Sequence, residues 1–196
     1  MSDGSLKLRG RVRAVLGDNV DTDIIYPGRY LNITDREKTA EHLFELAYPE
    51  LRASLEAGDI IVAGRNFGCG SSREQAAAAL KFAGVGAVIA GSFARIFFRN
   101  AINLGLPAVV APQASLVCAA GDELEIDLVA GEIRNVSPWQ GSIAPPAQQA
   151  CSTGASTGHE LSPESRVVEA AALDPRAVEL IAAGGLIPYL KRKYAA

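Results

Sequence analysis

The stretch DIIVAGRNFGCGSSREQAAAALKFAGVGAVIAGS, residues 59–92, places a helical pattern between two apolar runs. The runs, 59–64 and 85–91, are continuous, which is typical of strands buried on both faces of a sheet. The pattern between them has helical spacing and ends at Gly84. Two consecutive strands joined through a helix with short joints lie parallel. This stretch therefore predicts an α/β fold built on a parallel sheet.

Downstream, the same alternation continues for one more unit. We expect Ser92 to cap a second helix, FARIFFRNAINLG at 93–105, and LPAVVA at 106–111 to form a third buried strand. Together the segments predict a parallel βαβαβ core.

Upstream, LRGRVRAVL at 8–16 alternates apolar and polar residues and predicts a strand. Residues 17–35 are dense in Asp, Asn, Gly and Pro and predict a long ordered loop. Residues 36–58 have helical spacing, with a break expected at Pro49.

The C-terminal third combines regular and irregular segments. Residues 122–136 predict a β-hairpin turning at Ala130-Gly131, and a helix is expected from Asp174-Pro175 to Gly184-Gly185, followed by a short helix opened by Pro188. Residues 137–165 are rich in Pro, Ser, Gly, Gln and Ala and have no periodicity. We therefore expect a single domain over 1–196 with a flexible insertion at 137–173.

Composition argues against several classes of partner. The chain has 196 residues and a net charge of −3, from 19 basic and 22 acidic residues, which gives no reason to expect nucleic acid or an anionic membrane. It has no apolar run near the ~20 residues that span a bilayer. The first ten residues, MSDGSLKLRG, lack the apolar segment of a secretory signal. We expect a cytoplasmic protein.

Cysteine and histidine are too few and too scattered for a metal site formed from one local motif. The three cysteines, Cys69, Cys118 and Cys151, have no C-x-x-C spacing, so neither a disulfide framework nor a zinc knuckle is indicated. His42 and His159 have no partner nearby in sequence. A Ser-His-Asp triad would require residues distant in sequence to meet in the fold.

The glycine-rich turn GCGSSR, residues 68–73, follows a predicted buried strand and precedes a helix. Ligands bind at this end of parallel strands, where helix N-termini present free N–H groups and a partial positive charge. Gly68 and Gly70 allow the backbone to approach a ligand, and Arg73 adds a cation with bidentate geometry. The turn predicts a site for a carboxylate or a phosphate.

Known phosphate-binding loops do not match this turn. A P-loop requires a lysine that is absent, and Arg73 stands where the dinucleotide-binding fingerprint has its third glycine. A structural interpretation stays open, because Ser71 with Glu74, or Ser72 with Gln75, has the spacing of a capping box. A cap needs only one hydroxyl, however, so two hydroxyls and an arginine exceed that requirement.

The loop DNVDTDII, residues 18–25, also has two interpretations. Asp-rich loops are usually turns in which the carboxylates accept local N–H groups, and the spacing of an EF-hand calcium loop is absent. From the pattern alone, a structural role is slightly favoured.

Three segments carry a resemblance to a known family: GDNVDTDIIYPGRYL (17–31), the long block from Gly64 to Pro107, and GGLIPYLKRKY (184–194). They resemble the small subunits of 3-isopropylmalate dehydratase, in the aconitase superfamily, over roughly residues 7–136 and 175 to the end. The resemblance implies the compact swivelling β/β/α domain found at the C-terminus of aconitase.

The resemblance also implies an activity and a partner. Similar enzymes are hydro-lyases that interconvert 2-isopropylmalate and 3-isopropylmalate, a 2-hydroxy dicarboxylic acid and its isomer, by dehydration and rehydration in leucine biosynthesis. A four-iron–four-sulfur cluster acts as the Lewis acid and is bound by the large subunit, so this chain would be active only in a heteromer.

Site roles follow from the same resemblance, position by position. Ser71 matches the general base, and Ser72 and Arg73 match residues that bind a substrate carboxylate, Arg73 also supporting catalysis. Asp23 matches the acidic catalytic residue near the cluster, with Thr22 supporting it. Cys69 matches a position that is not a cluster ligand.

Specificity is expected from the loop GRYLNIT, residues 28–34, through Tyr30, Asn32 and Ile33. Homoaconitase-type small subunits resemble YLRT here, whereas this loop has no arginine after Tyr30. An isopropyl group suits Ile33 better than a carboxylate does. The alternatives are a dimethylmalate or homoaconitate hydro-lyase subunit and a non-catalytic module that binds carboxylate or phosphate alone.

Overall fold

The computed structural model describes residues 6–137 and 167–195 of the chain. Its strands are β1 (Lys7–Leu16), β2 (Ile60–Ala63), β3 (Ala87–Ala90), β4 (Ala108–Val110), β5 (Glu123–Asp127), β6 (Glu132–Asn135) and β7 (Val167–Glu169). Its α-helices are α1 (Thr22–Ile25), α2 (Arg36–Glu41), α3 (Pro49–Ser54), α4 (Glu74–Phe82), α5 (Arg95–Asn103), α6 (Ala114–Val117), α7 (Pro175–Ala183) and α8 (Leu186–Tyr194).

Strand β1 joins a parallel and an antiparallel half into one seven-stranded sheet of order β4-β3-β2-β1-β5-β6-β7 in the part of the chain described. Its first half pairs antiparallel with β5, and its second half pairs parallel with β2. The change of partner falls between Arg11 and Val12, next to an irregularity in the pairing with β2 between Val12 and Ala14.

The parallel half confirms the predicted βαβαβ core. Strands β2, β3 and β4 pair parallel to one another, and every residue of β2 and β3 is buried. Helices α4 and α5 connect them, and α4 turns buried alanines inward at Ala76, Ala77 and Ala79. Small side chains let a helix lie close to a sheet. This half places the loops that follow β1, β2 and β3 at one edge.

The antiparallel half contains a strand that the sequence did not predict. The hairpin of β5 and β6 is confirmed, with Gly131 at a φ of +70° in its turn. Strand β7 pairs antiparallel with β6 inside the segment expected to be flexible. Only Val168 of its three residues is buried, which is too short an alternation to read from sequence. Residues 138–166 of the predicted insertion lie outside the described residues.

The predicted helix at 36–58 is interrupted over a wider span than Pro49 alone requires. Helix α2 ends at Glu41, and α3 begins at Pro49. Between them Phe44 adopts a φ of +56° with its side chain fully buried, and its N–H donates to the carbonyl of Ile25. Burial of this ring overrides the helical pattern. The loop at 17–35 likewise contains a short helix, α1, which Asp21 caps.

The C-terminal helices follow the prediction closely. The Asp174 carboxylate caps α7 through the N–H of Arg176, and Gly184 ends the helix in the left-handed conformation. Helix α8 begins at Leu186, two residues before Pro188. None of the helices in the two described ranges is long and apolar enough to cross a membrane.

Candidate active site

The loops after β1 and β2 lie side by side beyond the ends of their strands. The N–H of Gly68 donates to the carbonyl of Val20, and the N–H of Thr22 donates to the carbonyl of Cys69. These bonds extend the parallel pairing of β1 and β2 past the sheet. They bring the Asp-rich loop against the glycine-rich turn, two segments that sequence reasoning treated separately.

A third loop, after β3, joins the other two through Ser92. The predicted role of Ser92 as a helix cap is wrong, because α5 begins at Arg95 with Ala94 in the cap position. Instead, the Ser92 hydroxyl accepts the N–H of Asn66 at 2.9 Å, and Asn66 adopts a φ of +63°. Ser92 therefore holds the residues that lead into the glycine-rich turn, Asn66 and Phe67, rather than a helix.

The capping interpretation of the two serines is also wrong. Helix α4 begins at Glu74, with Arg73 in the cap position and no side-chain cap bond. Ser71 and Ser72 are exposed, and neither hydroxyl has a hydrogen bond to any described residue. The hydroxyls are therefore available to a ligand.

The three loops enclose a cavity of about 260 Å³. Its volume is slightly below the ~300–1,000 Å³ that is usual for ligand pockets. Residues from the first two loops and the start of α5 line it: Thr22, Gly68, Gly70, Ser71, Ser72, Arg73, Ala94, Arg95, Ile96 and Phe97. Ser71, Ser72, Arg73 and Thr22, all predicted site residues, thus share one cavity.

Arg73 is held in place by Asp23, which joins the site through this contact. The Arg73 guanidinium pairs with Asp23 Oδ1, and the N–H of Gly28 donates to the same oxygen at 3.1 Å. The Arg73 hydrogen bond, with help from Gly28, holds the pKa of Asp23 below its usual range despite partial desolvation. Asp23 is thus a charged carboxylate at neutral pH, and it orients the arginine.

The two glycines of the turn are required for different reasons. Gly68 has a φ of +74°, and a Cβ there would lie 2.2 Å from Cγ of Phe97. Close packing against that ring therefore requires glycine here, and ligand approach at Gly68, which also lines the cavity, stays a prediction. Gly70, at a φ of +88°, would place a Cβ 3.3 Å from Thr22 Oγ1. The turn therefore depends on glycine at both positions.

Thr22 carries a buried hydroxyl that no described residue satisfies. Its side chain is 1% exposed, and Oγ1 has no hydrogen-bond partner within the described part of the chain. An unmade hydrogen bond of this kind costs about 1–3 kcal/mol. We infer no bond from Thr22 to Asp23, although the sequence predicted a supporting role.

The predicted specificity residues do not line this cavity. The Tyr30 ring stacks on His42 with centroids 3.6 Å apart, and its hydroxyl donates to Glu45 at 3.0 Å. Asn32 is exposed and Ile33 half-buried. Substrate binding by Tyr30, Asn32 and Ile33 stays a prediction.

Sequence reasoning missed Arg95 and Ile96, which line the cavity at the start of α5. Arg95 is exposed and has no hydrogen bond or ion pair with the residues described. The sequence signal for Arg95 was weak: SFAR at 92–95, like SSR at 71–73, places serine and arginine at the junction of a buried strand and a helix. Only the fold shows that this junction meets the cavity.

The described residues do not provide ligands for an iron–sulfur cluster. They contain no group of three or more His, Cys, Asp or Glu side chains arranged to hold a metal ion. Cys118 is buried, and desolvation, with a smaller effect of Asp122, raises the pKa of its thiol to about 12. Cys69 is half-buried, and Cys151 lies outside the described residues.

Comparison with known proteins gives a consistent family. The profile of the aconitase C-terminal domain matches residues 52–114, which include β2, β3 and β4. The 3-isopropylmalate dehydratase small subunit of Moorella thermoacetica is 47% identical over 177 residues, covering 90% of this chain and 91% of the relative. The chain belongs to the 3-isopropylmalate dehydratase small-subunit family.

Other matches support the same family and its fold. The crystal structure of a 3-isopropylmalate dehydratase from Methanocaldococcus jannaschii matches with a TM-score of 0.76 and 38% identity, covering 97% of this chain and 96% of that one. The methanogen homoaconitase small subunit of Methanothermobacter thermautotrophicus is 58% identical over 130 residues, 66% of this chain and 74% of the relative.

Membership of the 3-isopropylmalate dehydratase small-subunit family confirms the predicted fold and the hydro-lyase class. The small-subunit names imply a partner subunit, and an aconitase-type dehydratase implies an iron–sulfur cluster.

Proposed function

We propose that this chain is the small subunit of a heteromeric 3-isopropylmalate dehydratase that isomerises 2- and 3-isopropylmalate in the cytoplasm. The observation that carries the proposal is the cavity in which Ser71, Ser72 and Arg73 meet, where neither serine hydroxyl has a hydrogen bond to a described residue. The family names of the relatives at 46–47% identity support the same activity.

Ser71 acts as the general base. During dehydration its Oγ removes the proton from the carbon next to the one that carries the hydroxyl, and it returns a proton on rehydration. A free serine hydroxyl is far too weak a base at neutral pH, so its alkoxide requires stabilisation. Positive charge from Arg73 and the N-terminus of α4 lies within the next few residues of the chain.

Ser72 and Arg73 hold a substrate carboxylate. Asp23 accepts a hydrogen bond from Nη1 of the Arg73 guanidinium. This bond fixes the plane of the guanidinium and leaves its other N–H donors available. A fixed guanidinium binds a carboxylate at lower entropic cost than a free one. In this proposal Asp23 contributes to catalysis by holding Arg73 in its working position.

The iron–sulfur cluster of this proposal is bound by the large subunit. The described residues of this chain offer no ligand set for it. When bound, the cluster supplies the Lewis acid for the substrate hydroxyl. This chain supplies the base and a carboxylate clamp, so activity requires both subunits.

A homoaconitate hydro-lyase subunit is the second candidate, favoured by the 58% identity to a homoaconitase small subunit. Against it, no arginine follows Tyr30 in the loop, and Arg29 is paired with Glu45. A dimethylmalate hydro-lyase subunit and a non-catalytic carboxylate- or phosphate-binding module are the remaining alternatives.

The test is reconstitution with the cognate large subunit under anaerobic conditions. Turnover of isopropylmalate, homoaconitate and dimethylmalate is compared, and each subunit is also assayed alone. We expect the pair to turn over isopropylmalate best and each subunit alone to be inactive. Preference for homoaconitate or dimethylmalate would select that hydro-lyase instead. A chain that binds phosphate without a partner, in a pair that catalyses nothing, would support the binding module.

A further inference from the structure

Two asparagines bend the loops after β1 and β2 at matching positions. Strands β1 and β2 end with Leu16 paired to Ala63, and Asn19 and Asn66 each lie three residues beyond their own strand end. The φ angle is +59° at Asn19 and +63° at Asn66. These are left-handed values, which residues other than glycine seldom adopt. Both loops therefore make the same uncommon bend at the same level of the sheet.

The side chains of the two asparagines are bonded to each other across the loops. Asn66 Nδ2 donates to Asn19 Oδ1 at 2.8 Å. Next to this bond, the N–H of Asn19 donates to the carbonyl of Arg65 at 2.8 Å. Glycine would adopt a left-handed backbone without strain, but it has no side chain that could make the bond between the loops. The bond is therefore a reason for asparagine at both bends.

The bends come directly before the two segments that carry the predicted site residues. Just past them, the N–H of Gly68 donates to the carbonyl of Val20 at 2.8 Å, and the N–H of Thr22 donates to the carbonyl of Cys69 at 2.9 Å. These bonds set the offset between the Asp-rich loop and the glycine-rich turn. The two asparagines do not line the cavity themselves, so they act on the site through these segments.

We propose that Asn19 and Asn66 are positioning residues, whose side-chain bond sets the offset of the two site loops and thereby places Ser71 against the substrate. The inference rests on the proposed function and deepens it. In that function the substrate also contacts the large subunit. A displaced turn would then misalign the base even while the carboxylate clamp on the same turn still binds. A misplacement of about 1 Å can cost ~100-fold in rate.

Hydrogen exchange of the full chain tests the positioning without any activity. Asn66→Gly keeps the left-handed backbone and removes only the bond between the side chains. The amides of Gly68 and Thr22, whose bonds cross between the loops, should exchange about tenfold faster or more in this variant. The amide of Val88, bonded inside the sheet to Pro107, should keep its wild-type rate. Wild-type exchange rates at both Gly68 and Thr22 would overturn the proposal.

Kinetics of the reconstituted pair of subunits test the consequence for the reaction. Asn66→Gly should lower kcat roughly tenfold or more and change KM much less, because the base is misaligned while the clamp is intact. Asn19→Asp is the conservative variant. A carboxylate oxygen still accepts the bond from Asn66, so its kcat should stay within about twofold of wild type.

Asn103→Gly is the matched control for the glycine variants. Asn103 is exposed at the end of α5, and its side chain has no hydrogen bond to any described residue. Its kcat should equal that of wild type. Equal kcat values for Asn66→Gly and Asn103→Gly would overturn the proposal, as would an Asn19→Asp variant as slow as Asn66→Gly.

A double-mutant cycle shows whether the two asparagines act as one unit. Asn19→Gly and Asn66→Gly remove the same bond, so the double variant should lose no more kcat than the more affected single variant. Losses that multiply would overturn the pairing. An inactive wild-type complex of both subunits would overturn the proposed function alone, and hydrogen exchange would then decide the positioning role.

Discussion

At the scale of single residues, the site consists of polar groups whose contacts within the chain are incomplete. The hydroxyls of Ser71, Ser72 and Thr22 have no partner among the described residues, while Arg73 is fixed by Asp23. Polar groups without a hydrogen-bond partner lower the free energy of unfolding, and several of them around one cavity are typical of a binding site. Glycine at two positions makes the arrangement possible.

Gly68→Ala should destabilise the chain by more than about 2 kcal/mol, because the new Cβ would overlap a buried ring and the left-handed backbone would be strained. The overlap is with Phe97, whose Cγ would lie 2.2 Å away. The free energy of unfolding in denaturant measures the loss. Gly17→Ala is the control, since a Cβ there meets nothing within 4 Å. Equal stability of both variants would contradict the assigned packing.

Asp23→Asn should lower the free energy of unfolding only at pH values at which Asp23 is charged in the native protein. Arg73 lowers the native pKa of Asp23, so the pair stabilises the fold above the unfolded pKa, about 4, and this contribution disappears as pH falls through the lower native value. Because Asp23 is 57% exposed, the difference from wild type should stay within about 1 kcal/mol. Denaturant unfolding across the acid range measures it. A difference that grows on acidification would refute the pairing.

At the scale of elements, the carboxylate of Glu45 contacts side chains in and beside the loop at 28–34. Glu45 accepts hydrogen bonds from Arg29 and Tyr30 and contacts His42 at 2.7 Å, and these contacts lower the pKa of Glu45, His42 contributing most. Tyr30 is further fixed by stacking on His42. The loop that was predicted to set specificity is therefore held by Glu45 and His42 in addition to its own turn hydrogen bonds.

Glu45→Gln should loosen this loop and raise KM of the reconstituted pair severalfold, with a smaller change in kcat. The reason is that the loop would then have to be ordered each time substrate binds, and the entropic cost of that ordering weakens binding. Steady-state kinetics with isopropylmalate measure both parameters. Glu41→Gln, an exposed position on α2, is the control. If Glu45→Gln leaves KM at the wild-type value, the loop does not contribute to substrate binding.

At the scale of the whole molecule, β1 couples the two halves of the sheet. It pairs with β2 on one side and β5 on the other, and its change of partner lies at the fully buried Val12. The parallel half carries the cavity, while the antiparallel half extends the sheet away from it. The described chain should thus unfold as one cooperative unit.

Val12→Ala should cost about 1–3 kcal/mol and lower protection in both halves equally, because it removes buried methyl groups where the halves meet. Native-state hydrogen exchange at β3 and β5 measures this. Val129→Ala, at a residue that is 44% exposed, should change little. Loss of protection confined to β5 would show that the halves unfold separately.

The sequence was sufficient to predict the parallel core, because apolar runs and helical spacing can be read within each segment of the chain. It was insufficient for the starts of α4 and α5, where Ser71 and Ser92 have the residue type of caps. Ser92 instead holds Asn66, a residue 26 positions away in the chain. The pattern of the glycine-rich turn was enough to predict an anion site there, whereas including Arg95 required knowing that three loops converge.

The most direct test of the account is the activity of Ser71→Ala in the reconstituted pair. Isopropylmalate dehydration is assayed for wild type and variant after both pairs are shown to assemble with equal iron content. The account predicts that kcat falls by roughly 10²–10⁴-fold with little change in KM, the usual loss when a general base is removed. A variant that keeps kcat within a few-fold of wild type would contradict the claim that Ser71 is the base.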